Sequence, residues 1–138
     1  MFNQDTYRGV LSFDLGALPS GVAVKSAQLI LTRKSQQGSV SNVFVDVKQG
    51  ALGSSRGLAA DDYSAPVTVT SAAGFAPPIA DGKSVAIPLP LTSLGTLSSR
   101  SLLQLRLRAQ TTTDFPADVL EFFDGSAGPL APTLQLTY

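Results

Sequence analysis

Along residues 7–32, YRGVLSFDLGALPSGVAVKSAQLILT, apolar side chains take every second place in two runs. In the first run Gly9, Leu11 and Phe13 alternate with Arg8, Ser12 and Asp14. In the second, Ala27, Leu29 and Leu31 alternate with Gln28, Ile30 and Thr32. Successive side chains of an extended strand point to opposite faces, so this period can only be used by a strand with one face on a core. The pattern predicts strands over 8–14 and 24–32, joined by a link rich in turn residues, Gly16, Pro19 and Gly21.

The device recurs. Val43, Val45 and Val47 predict a strand over 42–49, with Asn42, Phe44, Asp46 and Lys48 on its other face. Further strands are predicted over 67–70, 84–89, 101–109, 119–124 and 133–138, the last with Leu134, Leu136 and Tyr138 inward. Pro88 and Pro90 place the 84–89 strand at a sheet edge or mark its end, because proline cannot donate to a ladder. Leucines at 91, 94 and 97 predict the one short helix. The polar stretch 34–41, KSQQGSVS, reads as an exposed loop. Residues 50–65, GALGSSRGLAADDYSA, break every period and read as a functional loop or a packed surface lid. Seven or eight strands with hardly any helix predict an all-β antiparallel sandwich of jelly-roll or Greek-key winding, a single module over residues 1–138.

The residue inventory excludes much chemistry. The chain has no histidine and no cysteine, so Ser-His-Asp triads, Cys-His pairs, HExxH zinc sites and disulfides are all ruled out. It has no phosphate-cradling glycine loop and no apolar run long enough for a spanning helix. Ten basic side chains balance ten acidic ones, which removes any general pull toward nucleic acid and eases association between copies. Charged residues are only 14%, against roughly 25% in an average domain. Of the nine Asp and one Glu, Glu121 with Asp118 or Asp124 is the sole attractive pair for acid–base work on a glycoside, and the plainer reading of Glu121 is a strand's wet face. The expectation is therefore no enzyme.

Two acidic clusters could take a structural Ca²⁺: Asp61 with Asp62 in the middle loop, and Asp114, Asp118 and Asp124 around the last aromatic strand. No EF-hand spacing is present, and the alternative is ordinary turn-capping carboxylates. For a sugar, the chain offers Tyr7, Phe44, Tyr63, Phe75, Phe115 and Phe123 as surface aromatics and no tryptophan. Arg106 and Arg108 share the predicted outer face of one strand, with Arg8 and Lys48 outward on others. Brought together, these cations could hold uronic-acid carboxylates. The competing reading is a solvated face on which the arginines pair across strands with Asp14 or Asp46.

The pair of strands also carries a resemblance. Phe13-Asp14-Leu15, then Leu18-Pro19, then Ser26-Ala27 with Leu29 and Leu31 resemble the hallmark segment of the disaggregatase-related modules. The C-terminal run is similar as well: Leu120 and Phe122, a Gly/Ser loop, then Pro132-Thr133-Leu134 and a closing Thr137-Tyr138. The resemblance implies a jelly-roll module of secreted bacterial and archaeal proteins, some relatives of which are carbohydrate-binding modules for acidic polysaccharides such as alginate. Two departures stand out. The family's additional N-terminal strand segment is not seen before the Phe-Asp-Leu pair, and its Arg-Pro before the last strand is Ala131-Pro132 here. Because strand pattern begins close to Met1, the expectation is a module of a larger extracellular protein whose targeting segment lies elsewhere. Two functions follow as expectations: a non-catalytic polysaccharide-binding module, or a structural module that joins neighbouring domains or subunits through an open sheet edge.

Overall fold

The computed structural model describes residues 8–53, 57–98, 101–111 and 117–138. Eight strands form two antiparallel sheets that pack face to face, the all-β sandwich that the alternation predicts. The strands are β1 (Gly9–Asp14), β2 (Ser26–Gln37), β3 (Val40–Gln49), β4 (Val69–Phe75), β5 (Ser84–Leu89), β6 (Leu102–Thr111), β7 (Val119–Phe122) and β8 (Thr133–Thr137), with one helical turn, α1 (Leu91–Leu94). One sheet runs β1-β6-β3-β4; in the other, β2 is the spine, with β5 on one flank and β7 and β8 pairing with successive stretches of it. Among these pairings only β3 and β4 are neighbours in sequence, so the chain crosses repeatedly between sheets and does not meander.

The inward residues are those whose period demanded it. Leu29 and Leu31 of β2, Val45 and Val47 of β3 and Leu105 of β6 are fully buried. Register sets Val45 against Leu107 and Val47 against Leu105 in one sheet, and Leu29 against both Ile87 and Leu134 in the other. Phe75 and Phe122 meet between the sheets, with ring centroids 6.0 Å apart. Each such side chain contributes roughly 1.5–3 kcal/mol by leaving water. Proline sits where its missing donor does least harm: Pro88 lies on β5, a sheet edge.

Several elements depart from the sequence reading. Residues 34–41 are not an exposed loop. They form the end of β2 and the start of β3, joined through Gly38 at φ 72°. That end of β2 is polar on both faces, so it has no period, and it is strand because β7 pairs with it from Arg33↔Phe122 to Gln37↔Val119. The 67–70 strand is longer and later, and α1 is shorter than predicted because Gly95 stops it at φ 68°. Phe75, predicted as a surface aromatic, is in the core, and Tyr138, predicted inward, is 55% exposed beyond the end of β8.

Candidate functional site

The outer face of the first sheet holds four of the residues that the sequence singles out, Arg106, Arg108, Lys48 and Phe44. Antiparallel register places Val10, Arg106 and Asp46 in one row, Ser12, Gln104 and Lys48 in the next, and Arg108 beside Phe44. This face is not the solvated surface the alternation implied. Residues 51–53 and 57–66 lie across it as a lid, burying Leu52, Asp62 and Ala65 above and Gln104, Asp46 and Arg106 below.

Asp46 is the hub of this layer. It is wholly buried, and its two carboxylate oxygens accept four hydrogen bonds. Arg108 donates twice, from Nε and Nη2, at 2.8 Å each; Arg106 donates from Nε at 3.1 Å; the Ser71 N–H donates at 2.9 Å. Ser71 can do so because β4 bulges: between Val69↔Val47 and Ala73↔Val45 it sets three residues against one, and Ser71 takes φ 52°. Burial on its own would raise the Asp46 pKa; the bonds from Arg108, Ser71 and Arg106 outweigh it and hold the carboxyl below its ordinary 3.8. The same bond to Asp46 raises the Arg108 pKa.

Arg106 then ties the lid down. Its Nη1 faces the carbonyls of Asp62, Tyr63 and Ala65 at 3.1, 3.2 and 2.7 Å. Gln104 adds a second tie, its Oε1 accepting the Leu52 N–H at 2.6 Å while its Nε2 donates to Ser12 Oγ. Both arginines proposed for glycan carboxylates are thus committed to Asp46 and the lid. Of the two plainer partners, Asp46 is the one used. Arg108 keeps a quarter of its side chain exposed, with its guanidinium 5.6 Å from the Phe44 ring centroid.

A different pair faces solvent at the lid's margin. The Arg8 guanidinium stacks 4.2 Å above the Tyr63 ring, and its Nη1 donates to the Tyr63 carbonyl at 2.6 Å. With Val10, Leu58, Ala59 and Asp62 they line an open cleft of ≈ 350 Å³, at the lower end of the roughly 300–1,000 Å³ usual for ligand clefts. Leu58 stands 83% exposed and Tyr63 38% exposed beside it. The place of Leu58 in the cleft lining is not visible in the sequence, which shows only one more apolar residue in an aperiodic loop.

The remaining candidates do not gather at this cleft. Lys48 is half-buried and makes no ion pair among the described residues. Phe123 lies at the seam between β1 and β7, in an apolar groove of ≈ 220 Å³ with Leu11, Leu107, Leu120 and Phe122. On that side β1 pairs only with β6 among the described strands. The five acidic candidates separate too. Asp118 Oδ1 accepts the Ser39 N–H at 2.8 Å. Asp124 Oδ1 accepts the Ser126 hydroxyl and N–H, bonds that lower its pKa, and Asp114 lies outside the described residues, as do Tyr7 and Phe115. No three potential ligating side chains meet among the described residues. Only Asp61 and Asp62 converge, at Gly53.

Fold and surface together define a β-sandwich module with a polar layer sealed under a lid and a cation-on-aromatic cleft at the lid's edge. No family model, no curated protein and no solved structure matches the chain.

Proposed function

We propose that the protein is a non-catalytic extracellular module that binds an acidic polysaccharide in the Arg8–Tyr63 cleft, and so targets the protein carrying it. The observation that supports this reading most is the state of Arg8. One face of its guanidinium lies on Tyr63 and one nitrogen is held by a carbonyl, while its Nε and Nη2 make no hydrogen bond among the described residues. A guanidinium oriented in this way offers a flat donor edge that fits a carboxylate with two parallel bonds. The exposed parts of Tyr63 and Leu58 offer apolar area to the C–H faces of a sugar ring. The resemblance of the Phe13–Leu31 segment to the disaggregatase-related modules points to the same ligand class.

Affinity electrophoresis through gels containing alginate or polygalacturonate tests this. Wild type should be retarded, and Arg8→Ala should weaken retention about tenfold or more, the loss of a charge-assisted pair. Tyr63→Ala should weaken it as well. Equal mobility of wild type and Arg8→Ala on every acidic polysaccharide tried would overturn the assignment. Arg106→Ala and Arg108→Ala are poor probes, since each strips Asp46 of a partner and so perturbs the fold itself.

A further inference from the structure

Asp62 presents a problem that the glycan reading does not solve. Its side chain is carried into the interior with the lid, leaving the residue 2% exposed. Its Oδ2 accepts the Ala59 N–H at 3.0 Å, but its Oδ1 is buried with no hydrogen-bond partner among the described residues. Arg106 directs its bonds to the Asp46 carboxylate and to main-chain carbonyls, the Asp62 carbonyl among them, and Arg8, which lines the same cleft, bonds the Tyr63 carbonyl; none of these bonds reaches the Asp62 carboxylate. A buried carboxylate oxygen that no group satisfies calls for a ligand or a water.

The place it points to is a hollow kept open by a glycine. A Cβ on Gly53 would stand 2.7 Å from Asp62 Oδ1 and 2.7 Å from Asp61 Oδ2, so the two oxygens converge on the same small space. Gly53 has φ 57°, a conformation that side chains rarely adopt, so both strain and space keep the position bare. Asp61 has an interaction of its own. The orphaned oxygen of Asp62 is what leaves a place for a donor or a cation here.

We propose that this hollow is a binding site for a hard divalent cation of the Ca²⁺ class, taken by Asp62 Oδ1 and Asp61 Oδ2 and completed by main-chain oxygens and water. Oxygen-only ligation suits Ca²⁺, which tolerates irregular shells and retains waters. With two carboxylates and no third acidic side chain among the described residues, the site is a weak one, in the range of about 10⁻⁴–10⁻³ M typical of extracellular modules. The bound cation would pin the lid at Gly53 and at the 3₁₀ turn Ala60–Tyr63, above the ties made by Arg106 and Gln104. This inference is independent of the polysaccharide and can be tested without one.

The experiment is thermal unfolding of the whole chain in about 5 mM CaCl₂ against EDTA, with ionic strength matched by KCl. Ca²⁺ should raise Tm by about 3 °C or more, from mass action at a concentration above the dissociation constant. Asp62→Asn should abolish that rise. In EDTA it should be at least as stable as wild type, because an amide can still accept from Ala59 and no longer buries an unmatched charge. Tb³⁺ should show luminescence sensitised by the adjacent Tyr63, displaced by Ca²⁺ and absent in Asp62→Asn, which gives a reading independent of stability. No Tm response to Ca²⁺, an equal response to KCl alone, or a Ca²⁺ response that survives Asp62→Asn would each overturn the site.

Discussion

The two faces of the β1-β6-β3-β4 sheet are buried by opposite chemistry. The inner face is leucine and valine against the other sheet, with Val45, Val47 and Leu105 fully out of water. The outer face is Asp46, Arg106 and Gln104 under the lid, nearly as deeply buried yet charged and amide-bearing. The inner face needs only shape and area, and one missing methylene leaves the rest of the contacts intact. The outer face needs complete pairing, because each buried polar group left without its partner incurs the full desolvation cost. The first surface tolerates substitution gradually; the second depends on every member of its network.

The sharpest contrast is between Leu105→Ala and Asp46→Ala, measured by urea unfolding. Leu105→Ala should cost about 2–5 kcal/mol, through lost burial and a cavity. Asp46→Ala removes less apolar area, yet should cost about 3–5 kcal/mol by leaving the buried Arg106 guanidinium without a counter-charge. A loss under about 1 kcal/mol would show that water reaches this layer and would end the contrast. A smaller effect is expected from pH. The Asp46 carboxyl is held below its ordinary value in the fold, so the unfolded chain takes up the proton first as pH falls. The stabilisation is complete above the unfolded value of about 4 and fades as pH drops toward the folded one. Urea midpoints should therefore fall in that window for wild type and fall less steeply for Asp46→Asn; parallel curves would refute the assignment. Least of all should come from the rim, where Arg33 pairs with the largely exposed Asp81 at 2.8 Å. Asp81→Ala should change stability by about 1 kcal/mol or less, and a larger loss would mean that surface charge matters here as much as the buried layer.

The same contrast explains what could be read in the sequence. Leu29, Leu31, Val43, Val45, Val47, Leu103 and Leu105 announce the core because alternation is a local property of extended chain. The outer layer is not local. Asp46 and Arg106 look like wet-face residues until a loop of glycine, alanine and serine is laid over them, and small residues carry no period to show that they will lie flat. The sequence offers Asp14 and Asp46 alike as partners for the arginines, and register alone selects Asp46. The β4 bulge that brings the Ser71 N–H to Asp46 leaves no mark in VTVTSAAG. The far half of β2 is illegible for a related reason: its strand state is decided by β7, some eighty residues on. At the candidate cleft, Arg8 and Tyr63 were named individually, but their stacking depends on where the lid ends.

The reach of the Arg106 ties has a bearing on how the chain acquires its shape. Its Nη1 comes from β6 and grips carbonyls 41 to 44 positions earlier, and that grip exists only once β6 is seated between β1 and β3. The covering segment is therefore expected to settle late as the molecule assembles and to detach early under stress. Hydrogen exchange should find amides of the 3₁₀ turn opening long before those of β2 and β3, so that any ligand gripped there is won late and surrendered early.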